Sequence, residues 1–253
     1  MMAHRIAFAG AALLALAACS KPVDPGYQGW VEADLIFVSP DEAGRVETLS
    51  VREGDPIEKG APLFTVDPDL QQADVDMAKA SVINATQAYE RAQALLKTQA
   101  GTQKTVDDAE AALRTAQARL ASAQTRLARR KMASPVSGSV QQIYYRPGEL
   151  VPAGRPVVSL LPPGNIKIRF FVPETVLPKI ALGQAVTIHC DGCKTDVPAK
   201  VTFISRSSEF TPPVIYSLDE RSKLVFLIEA RTETPDGLRV GQPVDVRLAE
   251  TQK

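Results

Sequence analysis

The densest chemistry in this chain of 253 residues is the stretch Cys190-Asp191-Gly192-Cys193. Asp-Gly is a strong two-residue hairpin turn, which predicts two cysteines facing each other at the ends of neighbouring strands. In an oxidising compartment such a pair closes as a disulfide staple. Two other uses of the thiols stand beside it: thiol exchange, and a metal site shared with His189. Alternation along a strand puts His189 on the face opposite Cys190, and only three ligands exist. Redox catalysis would want a thioredoxin-like βαβ setting, and none surrounds the motif. The chain holds one further histidine, His4, and one further cysteine, Cys19. A His-based triad or a three-His zinc site cannot be assembled from that stock. No catalytic, cofactor-binding or metal-binding residue is therefore assigned, and the expected protein is not an enzyme. The formal net charge is zero, which argues against a nucleic-acid partner.

Cys19 has a different setting. Ile6–Ala18 is an unbroken run of 13 apolar and small residues behind Arg5. That is too short to span a bilayer but fits the apolar region of a secretory signal. Leu16-Ala17-Ala18-Cys19 resembles the bacterial lipobox, whose cysteine is diacylated and becomes the new N-terminus. The alternative is an ordinary signal cut after Ala18, leaving a free thiol. Either way the mature chain is exported.

These residues need elements to position them. The composition, 45% hydrophobic and 23% charged, is that of a packed protein and excludes wholesale disorder. Between Pro68 and Pro135 there is no proline, although the chain holds 19, and a single glycine, Gly101. Val75, Ala78, Val82, Ala85, Tyr89, Ala92 and Leu96 alternate spacings of three and four. Val106, Ala109, Leu113, Ala116, Leu120, Ala123 and Leu127 do the same. Two such seams with Gln99-Ala100-Gly101-Thr102 between them predict an antiparallel helical hairpin. Arg129-Arg130-Lys131 closes the second arm, where cations suit a helix C-terminus, and reads as a solvated helix end.

The flanks of the hairpin repeat one another. Gly44, Gly54, Gly60 and Pro62 recur as Gly138, Gly148, Gly154 and Pro156, and the offsets of 10, 16 and 18 residues are identical in both copies. A repeat too short to bury a core alone implies that its two copies pack together. From Asn165 onward the pattern turns to short strands. Ile166, Ile168, Phe170 and Val172 alternate with Lys167, Arg169 and Phe171, and similar runs surround Ile188, Phe226 and Val246.

The two flanks resemble the halves of a lipoyl or biotinyl carrier domain, a flattened barrel with quasi-twofold symmetry. A lipoyl domain split by an α-helical hairpin is the mark of periplasmic adaptor proteins, also called membrane-fusion or HlyD-like secretion proteins. The chain resembles that family over nearly all of its mature length. The resemblance implies an α+β, mostly β, fold: a split lipoyl (barrel-sandwich hybrid) domain with an inserted antiparallel coiled-coil hairpin, plus a small antiparallel β-barrel. The expected limits are a lipoprotein signal over 1–18, a tether over 19–29 and a barrel strand over 30–38. Lipoyl half 1 follows at 39–67, the hairpin at 68–133, lipoyl half 2 at 134–162 and the barrel at 163–250.

Arg91, Leu95 and Thr102 follow the spacing R-x3-L-x6-[ST] of the adaptor hairpin tip, where Ser is usual in last place. By resemblance they contact the periplasmic end of a TolC-like outer-membrane channel. Physically, Arg91 and Leu95 are an i,i+4 pair on one helical face, and Thr102 can cap the second helix. The plainer reading is that Leu95 packs and Thr102 only caps. Glu209-Phe210-Thr211-Pro212-Pro213 through Phe226 reads as a long loop between barrel strands. It resembles a stretch of adaptors paired with ABC-type exporters, which favours that class as the inner-membrane partner.

The implied function is a tripartite efflux or secretion system subunit, self-associated as a hexamer and held to the membrane by lipid on Cys19. Its place is the periplasmic face of the inner membrane, although Ser20 after the cysteine is an outer-membrane sorting signal in enteric bacteria. Two rivals remain. One is a lipid-anchored structural coiled-coil protein without transport partners. The other is a lipoyl-type carrier subunit, which would need an acceptor Lys in a short turn between the halves, and there is none.

Overall fold

A computed structural model describes residues 26–193, 195–210, 224–233 and 237–249. The segment expected as a signal, the expected lipidation site Cys19 and the 211–223 portion of the segment compared with ABC-paired adaptors lie outside the described residues. The chain forms two compact units. One holds the residues up to Ala33 together with those from Ile166 onward, and the other holds Asp34–Asn165.

Strand β1 (Tyr27–Ala33) belongs to the first unit. The second contributes β2 (Ile36–Val38), β3 (Gly44–Leu49), β4 (Pro56–Ile57) and β5 (Pro62–Val66), then helices α1 (Asp69–Lys97) and α2 (Gln103–Ala128), then β6 (Lys131–Ala133), β7 (Gly138–Ile143), β8 (Leu150–Val151) and β9 (Val158–Leu161). The strands make two four-stranded sheets, ordered β2-β9-β7-β4 and β6-β5-β3-β8. Each sheet mixes strands from before and after the hairpin, so neither half folds without the other.

The repeat in the sequence is a repeat in hydrogen bonding. Gly54 N–H donates to Val140 O at 2.8 Å, and Gly148 N–H to Val46 O at 2.8 Å. Gly60 N–H donates to Ser134 O at 2.8 Å, and Gly154 N–H to Pro40 O at 2.9 Å. Each of these pairs maps onto the other by the offset of 94 residues (138 minus 44). All four glycines have φ between +73° and +96°, which side-chain-bearing residues rarely adopt, so glycine is required at these turns. Leu63, Phe64, Val66, Val140, Val151 and Leu160 fill the space between the sheets.

In the first unit, β10 (Ile166–Pro173), β11 (Ala185–His189), β12 (Val197–Phe210), β13 (Leu224–Arg231) and β14 (Pro243–Leu248) join β1 in a closed barrel of order β1-β10-β13-β12-β11-β14. Closure removes the free edges that would otherwise invite pairing with other chains. Val31, Ile168, Phe170, Ile188, Ile228 and Val246 point inward and are fully buried. Gly29 lets β1 close on β10, since a Cβ there would lie 2.4 Å from Arg169 O.

Several expected limits move. The strand expected over 30–38 is two strands. The pairing with β10 stops at Ala33↔Ile166, and Ile36–Val38 pairs with β9 in the other unit. The break falls where the Asn165 side-chain amide donates to Asp34 O at 2.7 Å and takes that carbonyl out of the ladder. Tyr27–Gly29, expected in the tether, already belong to β1. Lys131–Ala133, expected at the end of the hairpin, is a strand on β5. Glu209-Phe210, expected as loop, end β12 and pair with Val225 and Leu224 at the start of β13, within the strand run expected around Phe226.

Candidate functional site

The hairpin is the part of the chain built to reach. All fourteen seam residues named from the sequence are buried or half-buried, while most positions between them are exposed. Helices of 29 and 26 residues give arms of roughly 40 Å at 1.5 Å per residue. Alanine at alternate seam positions lets the two backbones approach closely.

At the root, charge is buried and spent. Arg130 is 7% exposed. Its guanidinium donates to Ala43 O at 3.1 Å and to Glu42 Oε2 at 3.2 Å. The buried Gln71 side chain at the base of α1 donates to the same Glu42 oxygen at 2.9 Å. One carboxylate therefore holds the start of α1 and the end of α2 to the loop before β3. Gly44 makes room for this, because a Cβ there would meet Val66 Cγ1 at 2.4 Å and Arg130 Nη1 at 2.9 Å. Arg129 adds an exposed pair to Asp41 at 3.1 Å. Reading Arg129-Arg130-Lys131 as a solvated helix end is therefore wrong for Arg130. A signal was present: the repeat offset aligns Arg130 with Ile36, a position that faces the core.

At the tip the side chains point the other way. Ala92 and Leu96 occupy the seam, which turns Arg91 and Leu95 outward on the neighbouring face. Arg91 is exposed and makes no ion pair among the described residues, and Leu95 is 49% exposed. By contrast Lys104, on the first turn of α2, is held above its ordinary pKa by its hydrogen bond to Asp108 at 2.6 Å. Thr102 is the N-cap of α2. Its Oγ1 accepts from Thr105 N–H at 3.2 Å and lies 2.7 Å from Thr105 Oγ1.

Helix α1 closes in a Schellman motif. Ala100 N–H donates to Leu95 O at 2.9 Å and Gln99 N–H to Leu96 O at 3.0 Å. The motif needs a left-handed residue, and Gln99 supplies it at φ +60°. Such a backbone costs a non-glycine residue roughly 1–2 kcal/mol. Gly101 stands two places on and serves close packing instead, since a Cβ there would sit 3.1 Å from Leu95 Cβ. Sequence reading put the turn near Gly101 and did not single out Gln99.

The cysteines lie in the barrel. Cys190 and Cys193 face each other, with Cα atoms 5.4 Å apart, across a turn in which Cys193 N–H donates to Cys190 O at 3.1 Å. The turn is not the tight strand-to-strand hairpin expected. The last β11–β12 pair is Ile188↔Val197, so the turn sits inside a longer loop. Hairpin turns need positive φ at the first central residue, and here it falls on Gly192, the second. His189 Nδ1 faces Asp196 Oδ1 at 2.8 Å. Among the described residues no cluster of His, Cys, Asp and Glu is arranged to hold a metal ion. An open groove of about 570 Å³ runs past His189 and Cys190 to Trp30 and Phe171, whose rings pack 5.6 Å apart.

A lipoyl-like sandwich carrying a long helical hairpin, in one chain with a six-stranded barrel, defines a membrane-fusion adaptor. Residues 35–161, just over half of the chain, match the family described as RND MFP, barrel-sandwich hybrid domain, and the chain belongs to that family. The UPF0194 membrane protein in asrC 5'region of Acidithiobacillus ferridurans is 28% identical over 279 residues, covering 83% of this chain and 82% of that protein. An uncharacterized protein of Haemophilus influenzae is 27% identical over 178 residues, covering 70% of this chain but only 45% of its own length. Among solved structures, a MacA–MexA chimeric protein containing the Pseudomonas aeruginosa MexA α-hairpin domain shares the fold. Its TM-score is 0.72 at 22% identity, over 88% of this chain and 81% of that one. Among the described residues no helix is long and apolar enough to cross a membrane.

Proposed function

We propose that this adaptor works in the periplasm, anchored by lipid on Cys19, and links an inner-membrane transporter to a TolC-like outer-membrane channel. The observation that carries the proposal is the hairpin tip. Arg91 and Leu95 stand exposed on one helical face, unpaired by the hairpin itself, at the end of an arm fixed firmly at its root. A guanidinium beside an apolar knob fits a partner groove that offers acceptors around an apolar pocket. Thr102 contributes as the cap that shapes the turn, and its hydroxyl keeps capacity for one outside contact.

The inner-membrane partner proposed is an ABC-type exporter. Support comes from the segment between Glu209 and Phe226, whereas the family description names RND-type membrane-fusion proteins. Self-association as a hexamer completes the reading. The Cys190–Cys193 pair acts as a staple of the β11–β12 loop, supported by their Cα separation of 5.4 Å. Thiol titration of the exported wild type should find neither thiol free, with one appearing in Cys190→Ser; two free thiols in the wild type contradict the staple.

Leu95→Asp tests the main proposal. A charge on the apolar knob should abolish both export and pull-down of the channel while lowering stability by no more than about 1 kcal/mol, the cost of an anion in the last turn of a helix, because Leu95 lies outside the seam. Unchanged export would sink the assignment.

A further inference from the structure

We propose that Gln99 is a partner-contacting residue at the apex of the hairpin, presenting its amide to the outer-membrane channel. The inference rests on the reading of the tip as the channel-docking end.

Three observations carry it. Gln99 is the only non-glycine residue with positive φ among the described residues, in a motif where glycine is the unstrained choice. Backbone strain of this kind is held in place by the surrounding structure and clusters at functional sites. The second observation is the accounting of the turn from Thr98 to Thr102. The Thr98 hydroxyl donates back to Leu95 O at 3.1 Å, and the Thr102 hydroxyl caps Thr105 N–H at 3.2 Å. Ala100 and Gly101 carry no polar side chain. Gln99 is exposed, and its amide makes no hydrogen bond among the described residues, so it is the side chain of the turn with both donor and acceptor unused by the hairpin. The third is position. Gln99 stands just past the end of α1, two residues after Lys97 and four after Leu95 in the chain. An amide offers a donor and an acceptor together, which fits the exposed backbone or amide groups of a partner loop.

The experiment separates partner contact from tolerated strain. The full-length chain and its Gln99→Gly, Gln99→Asn and Leu95→Asp variants are compared in thermal unfolding and in binding to the purified TolC-type channel from the same genome, held in nanodiscs. Gln99→Gly relieves the strain, so its unfolding midpoint should rise while channel affinity falls about tenfold, the size of one lost interfacial hydrogen bond. Gln99→Asn keeps an amide and tolerates the left-handed backbone, and should retain most of the affinity. A Gln99→Gly variant that is more stable and binds as well as the wild type overturns the inference. If Leu95→Asp loses binding in that same series, the tip reading survives without it. Undiminished binding by Leu95→Asp, or no binding by the unaltered chain, removes both.

Discussion

The two ends of one hairpin are chemically opposite. At the root, the buried Arg130 and Gln71 both donate to the half-exposed Glu42 carboxylate, and even a glycine, Gly44, is used to admit the guanidinium. At the tip, Arg91 has no partner among the described residues, Leu95 is half exposed, and Gln99 holds a strained backbone. The same residue type, arginine, is buried and paired at one end and solvated at the other. A root with its charges paired inside the protein fixes where the arm points. At the tip Thr98, Thr102 and Lys104 are paired within the hairpin, whereas Arg91, Leu95 and Gln99 present groups the hairpin itself does not use.

The comparison can be broken most easily at the root. Arg130→Ala removes hydrogen bonds to Ala43 O and to the Glu42 carboxylate and opens a hole beside Val66. Because Glu42 is itself half exposed and can be rehydrated, the expected loss is about 2–3 kcal/mol, below that for a fully buried pair. It is read from the denaturant midpoint, and a loss within error of zero would show that the root is not held by this network. At the tip the sign reverses. Gln99→Gly should gain about 1 kcal/mol by the same measurement, since glycine adopts the left-handed turn without cost. A destabilised Gln99→Gly would mean that Gln99 supports the turn, and the contrast between the ends would blur.

The parts that could be read from the sequence are those governed by local chemistry. Gly54 and Gly148 stand at matched offsets because both must adopt positive φ, and their symmetric hydrogen bonds to Val140 and Val46 follow. The two seams were legible because burial in a hairpin repeats every three to four residues. Arg130 was not, because its charge matches any helix end. Its partner Glu42 lies 88 residues away and only folding brings the two together. Trp30–Val38 reads as one strand because apolar residues stand on both sides of Asp34 with no glycine or proline between them, and the interruption comes from the distant Asn165. The Asp-Gly turn was placed correctly between the cysteines but given the wrong setting. Local turn rules do not reveal that β11 ends at His189 and β12 begins only at Val197. Gln99 was invisible for a related reason: the eye goes to Gly101 as the turn glycine, while the packing of Leu95 claims it.

The central claim is that the tip is a contact surface for an outer-membrane channel. It is tested most directly by a photo-crosslinking residue at position 95 of the full-length chain in cells, followed by mass spectrometry of the captured partner. The account predicts that the adduct contains a TolC-type channel and that the same crosslinker at position 120, a half-buried seam position, captures none. Adducts at position 95 made only of further copies of this chain, or of no protein at all, would contradict it.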